Sequence, residues 1–220
     1  MLNVPIPLGF YKAFINRLLA MTDVTCCGFA EIMTGNSTSV FFRHDIDTCE
    51  CIGNLQRMID LELELTINPG VYVRVDGEDY AAHAFRDLFQ DLHARGIEIG
   101  LHTSCYTKDN YFGELERERT EFTKQLGFEP RSFSVHGLGD YRKSVRHEFY
   151  CAVANRLHDF GFEFSDCHPS LREYHYTLQD CYLDTASGKR FIYDDFTFLP
   201  RPKDVQKNYL VLTHPCYWTV

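Results

Sequence analysis

The chain has 220 residues, 45% of them hydrophobic and 24% charged, with a formal net charge of −9. That is the composition of an ordinary globule, long enough to bury a sizeable core as a single domain over residues 1–220. The acidic balance gives no electrostatic reason to expect nucleic acid or an anionic membrane as a partner, and no apolar run approaches the length of a membrane span.

The spacing of Phe10, Phe14, Leu18 and Leu19 predicts an opening helix over 5–21. The apolar lead Val40-Phe41-Phe42 then predicts a buried strand over 39–46, followed by a helix over 50–64 carrying Ile52, Leu55, Ile59 and Leu63 on one face. A second strand over 70–75 precedes a helix over 79–94 that stops at Gly96. A third strand at 97–102 leads to a helix over 111–126 stopped by Gly127. Strand four at 132–136, a helix at 144–159 ending before Gly161, and strand five at 162–165 follow. The stretch 168–188 reads as irregular, and 190–193 and 209–213 as late strands. Strand–helix alternation of this kind implies a parallel sheet, either a (β/α) barrel or a doubly wound sheet.

The strand ends carry the chemistry. Asp45 and Asp47 lie two apart at the end of the first strand and so share a side of it. Two like charges there require a proton, a cation or an Arg or His donor between them. The third strand ends in His102, the fourth in His136, the fifth in Asp166-Cys167-His168 and the last in His214. Parallel sheets gather strand C-termini at one face, where active sites collect. For His83, His93, His147, His158 and His175 a surface or satisfied core role is the simpler expectation. Aspartate with imidazoles suits Zn²⁺, Co²⁺ or a similar divalent ion. An open position on such an ion acidifies water enough for attack on a carbonyl, with a second carboxylate to take the proton and a His to protonate the leaving group.

The nine cysteines are scattered without a CxxC pair, and the opening MLNVPIPLGFYK lacks the basic and apolar regions of a signal peptide. Free thiols in a reducing cytoplasm are therefore expected. Cys105, near His102, reads as an inert packing thiol rather than a nucleophile.

FRHDID at 42–47, EIGLHTSCY at 98–106 and LVLTHPCYW at 210–218 resemble, in order, the motifs of the polysaccharide deacetylase family, the NodB-homology fold of carbohydrate esterase family 4. The resemblance implies an α/β distorted (β/α) barrel and metal-dependent hydrolysis of an N-acyl, usually N-acetyl, group on a sugar. Carried over by position, Asp45 resembles the catalytic base and Asp47 the metal-binding aspartate. His102 resembles the first metal histidine and His214 the general acid. Two departures stand out. The second metal histidine of the family is replaced by Tyr106, a weak ligand while its phenol is neutral, and the family's Arg-containing motif is not recognisable in 132–139.

Asp47, His102 and His136 are therefore the expected ligands of a divalent ion, zinc first, with Tyr106 as a weaker alternative. Asp166, His168 and Arg43 are expected near substrate; Arg131, Arg142, Asp194 and Asp195 are cleft or surface residues. The expected substrate is an acylated sugar or a nucleotide- or lipid-linked precursor in surface-polysaccharide or lipopolysaccharide assembly. Competing readings are a degenerate family member that binds glycan or metal without turnover, and another amide hydrolase or deformylase on the same fold.

Overall fold

The computed structural model describes residues 6–20, 24–28, 38–137, 148–149, 151–153, 156–165, 174–180 and 208–219. In chain order the regular elements are β1 (Ile6–Pro7), α1 (Leu8–Leu19), β2 (Val24–Cys26), β3 (Thr38–Ile46), α2 (Cys49–Glu64) and β4 (Gly70–Val73). A 3-10 turn at Ala82–Phe85 runs into α3 (Arg86–Ala94), followed by β5 (Glu98–Thr103), α4 (Tyr111–Leu126) and β6 (Ser132–Val135). The last elements are β7 (Phe164–Ser165), β8 (Tyr174–Gln179), β9 (Asn208–Thr213) and β10 (Trp218–Thr219). The chain divides into two compact units, one of Met1–Gly70 with Tyr174–Val220 and the other of Val71–Glu173.

In the first unit β3 pairs in parallel with β2 and with β9, and β9 in parallel with β8; β1 and β10 form a separate parallel pair. Residue alternation along β3 sorts its side chains. Val40 and Phe42 enter a core with Tyr11, Phe14, Ile15 and Leu18 of α1, Met58 and Leu61 of α2, Val211 of β9 and Trp218. Burying each large apolar side chain of this kind stabilises by roughly 1.5–3 kcal/mol, which is how the stripe on α1 fastens that helix.

The second unit carries strands in the order β4, β5, β6, β7, with β5–β6 and β6–β7 parallel. Gly100 lets β5 lie close to its neighbours: a Cβ there would meet the Tyr72 ring at 2.5 Å and the Ser132 hydroxyl at 2.6 Å. At the start of α4 the Asn110 side chain accepts a hydrogen bond from the Gly113 N–H (3.2 Å), and the helix ends on Gly127 at φ 86°. That left-handed cap is one glycine adopts without a Cβ penalty.

Parallel strands alternating with helices match the expected α/β class. The structure departs from the sequence reading where short-range signals compete. The stretch expected to be irregular contains β8, and the helix expected to begin at 79 starts with a 3-10 turn at Ala82. The expected helix over 144–159 has helical residues at 148–149 and 151–153, then a 3-10 turn at Leu157–Phe160 before Gly161. The expected strand at 190–193 lies outside the described residues.

Candidate functional site

In the first unit, β3 and β9 place the carboxylates and one imidazole. Arg43 and Asp45, two apart on β3, share a side and are both buried. Arg43 donates from Nε to Asp45 Oδ1 at 2.7 Å and from Nη2 to Oδ2 at 2.6 Å. This planar fork fixes the orientation of the carboxylate and offsets its charge. Arg43, expected among the substrate contacts, is thus a buried clamp on Asp45. It supplies the donor that the paired aspartates required.

His44, between them, is fully buried and held from two sides. Its Nε2 lies 2.8 Å from Glu62 Oε2 of α2, its Nδ1 lies 2.6 Å from Thr213 Oγ1 of β9, and the Tyr11 hydroxyl donates to Glu62 Oε1. His44 therefore belongs to the scaffold beneath the site.

His214 follows β9 and is organised by Asp180, the residue after β8. Nδ1 of His214 lies 2.6 Å from Asp180 Oδ1, while the His214 backbone N–H and Trp218 Nε1 donate to Asp180 Oδ2 at 2.6 and 2.9 Å. The other ring nitrogen, Nε2, is 3.5 Å from Asp47 Oδ2. Burial would lower the pKa of His214, but the charge and hydrogen bond of Asp180, aided by Asp45 and Asp47, outweigh it and raise the value to about 9. The ring is accordingly an imidazolium at neutral pH, with Nδ1 committed and Nε2 able to donate a proton.

In the second unit, neighbouring strands position two further imidazoles. His102 on β5 is in register with Ser134 on β6, and His102 Nδ1 lies 2.7 Å from Ser134 Oγ. His136, just past β6, continues the ladder by donating its backbone N–H to the Thr103 carbonyl at 2.8 Å. The two rings meet edge to face, 5.2 Å between centroids. The Tyr106 hydroxyl donates to the His136 backbone carbonyl at 2.9 Å, so the residue in the position of the absent histidine braces His136. Cys105 is buried, which pushes its thiol up to about 12 and leaves it un-ionised and inert at neutral pH.

His102 and His136 bring two imidazoles together within the second unit, while the third expected ligand, Asp47, follows β3 in the first. One carboxylate with two imidazoles fits the donor preference of a borderline divalent ion such as zinc. A ligand histidine usually has its other ring nitrogen held by a hydrogen-bond partner, and the Ser134 hydroxyl is in that position for His102. Asp166, His168, Arg142, Asp194 and Asp195 lie outside the described residues. Arg131 is a surface residue paired with Glu163 at 2.7 Å.

Sequence reasoning missed Asp180 because the strand before it was read as irregular. The signal was present: Tyr174, Tyr176 and Leu178 alternate with more polar residues, and the strand-end rule that singled out His214 would then have found Asp180.

No family model matches the sequence, and no curated protein matches it. Among solved structures, the chain is similar to the polysaccharide deacetylase Bc1974 from Bacillus cereus, with TM-score 0.45 and 12% identity over 80% of this chain and 79% of that one. It is also similar to BA3943, a CE4 family pseudoenzyme from Bacillus anthracis, with TM-score 0.47 and 12% identity over 82% of this chain and 57% of that one. No helix among the described residues is long and apolar enough to cross a membrane.

Proposed function

We propose that the protein is a metal-dependent hydrolase that removes an N-acyl group, N-acetyl in the first instance, from a sugar. The substrate is a free sugar or a nucleotide- or lipid-linked precursor used in the cytoplasm for surface-polysaccharide or lipopolysaccharide assembly. The observation that carries the proposal is the acid–base pair of the first unit. Asp45 is buried and gripped by Arg43, and His214 is held protonated by Asp180. A carboxylate and an imidazolium near an acyl carbonyl are the groups that amide hydrolysis needs. The motif resemblance supports the same roles.

Asp47, His102 and His136 are the residues that would hold the ion. A divalent ion there supplies Lewis acidity, polarising the acyl carbonyl and acidifying nearby water. The chain does the rest. Asp45 accepts the proton of the attacking water, its geometry fixed by the Arg43 fork. His214 Nε2 donates a proton to the departing amine, which would otherwise leave as a poor, unprotonated group, while Asp180 retains Nδ1 and stabilises the ring's charge.

The test pairs elemental analysis with turnover of N-acetylated sugars and sugar nucleotides. Asp45→Asn is expected to keep near-stoichiometric metal and lose turnover by about 10²–10⁴-fold, the usual contribution of a positioned general base. His102→Ala is expected to lose metal and turnover together. Full activity in Asp45→Asn, or no metal bound after reconstitution of the wild type, would sink the proposal.

A further inference from the structure

The second unit contains a cavity of about 160 Å³ that neither the base nor the acid lines. Its wall includes Arg74, just past β4, with Asp76, His102 and Lys108, and Glu114, Arg117 and Glu118 of α4. Two atoms in this wall are buried and make no hydrogen bond: Arg74 Nη1, a donor, and Glu118 Oε2, an acceptor. Glu118 is only 7% exposed, and burial pushes its carboxyl up to about 7 despite a hydrogen bond from Thr103. The Arg74 charge acts on Glu118, yet no hydrogen bond joins them. Arg74 Nη1 stands 3.8 Å from Glu78 Oε1, beyond hydrogen-bond reach.

The neighbouring charges are differently disposed. Arg117 grips both oxygens of Glu114 at 2.9 and 3.0 Å, and its remaining reach goes to Asp76 at 3.6 Å. Buried polar atoms in folded proteins are almost always satisfied, so an unsatisfied donor and acceptor on two residues that line one cavity ask for a ligand that answers both. Arginine's fork is matched to oxyanions, and Lys108 adds a further cation to the same wall, where Arg117 is occupied by Glu114 and Asp76.

We propose that this cavity is a subsite for an anionic, hydroxylated part of the substrate, with Arg74 donating to the oxyanion and Glu118 accepting from a neighbouring hydroxyl. Because His102 belongs both to this wall and to the metal-ligand group, the assignment rests on the hydrolase reading above and sharpens its substrate class. The enzyme would prefer a sugar carrying a carboxylate or a phosphate to a neutral one.

Binding to the zinc-reconstituted full chain, measured calorimetrically with glucose, acetate, glucuronate and glucose 1-phosphate, tests this without requiring turnover. At least one anionic sugar is expected to bind about 10-fold or more tightly than glucose, as a charge-assisted hydrogen bond implies, and the tighter of the two identifies carboxylate or phosphate as the group taken. Arg74→Met should erase that preference, and Arg74→Lys, which keeps the charge without the fork, should retain part of it. Glu118→Leu should remove the advantage of glucuronate over acetate. Equal binding of glucose and the anions, no binding of any probe, or dissociation constants within about twofold of wild type in both Arg74 variants would overturn the subsite. Asp45→Asn should bind the probes as wild type does. Intact binding with no turnover of any acylated sugar would therefore leave the subsite standing and sink the hydrolase reading alone.

Discussion

The two units hold their proposed site residues by different means. In the first, carboxylates and a guanidinium do the gripping: Arg43 on both oxygens of Asp45, Asp180 on His214 and, in the scaffold beneath, Glu62 on His44. In the second, neutral groups do the positioning. A serine hydroxyl holds His102, and a tyrosine hydroxyl holds the backbone of His136. The contrast follows from the tasks. In the roles proposed above, a base and an acid need their protonation states set, and nearby charge does that. Imidazoles in the proposed ligand role would need only orientation, which a hydroxyl supplies without adding charge.

The contrast can be broken most severely at Glu62. Glu62→Ala takes the shared carboxylate from two buried groups, the His44 ring and the Tyr11 hydroxyl, and should cost about 1–3 kcal/mol for each in chemical denaturation; a total loss below about 1 kcal/mol would show that this polar scaffold is dispensable. Asp180→Asn tests the next largest effect. His214 has its pKa raised in the fold, so the stability from that proton is fully present below the ordinary value of about 6.5 and is lost as pH rises through about 9. Activity that requires the imidazolium should fall over the same alkaline range. In Asp180→Asn the alkaline limb should move to lower pH, and an unmoved limb would remove Asp180 from its role. Ser134→Ala should weaken zinc affinity by about 10–100-fold while leaving the wild-type pH profile in place. The mildest change is Tyr106→Phe, expected to cost about 1 kcal/mol of stability with metal content unaltered. Loss of metal in that variant would instead make Tyr106 a ligand.

Much of the second unit was legible because its signals are local. Gly127 ends α4, and His102 and His136 sit at strand ends where period-two hydrophobic runs stop. In the first unit the residues were visible but their partnerships were not. Asp45 could be seen to need a counter-charge, yet Arg43 was assigned to the cleft although strand alternation places it on the same side. Glu62 and Asp180 reach their partners across 18 and 34 residues of sequence, a separation that no periodicity encodes. Arg74 and Glu118 escaped notice for a related reason: an unsatisfied atom is defined by what surrounds it in space.

Strand β3 carries two sets of side chains that are not interchangeable. Arg43 and Asp45 point one way, and His44 points the other, where Glu62 and Thr213 hold it. A slip of one residue against β9 would drive Asp45 into the pocket shaped for an imidazole and push His44 out beside Arg43. Asp45 would then be buried opposite Glu62, an arrangement too repulsive to persist. The polar layer under the site thus acts as a proofreader of folding, since a chain in which β3 has paired out of step is rejected before the site can form.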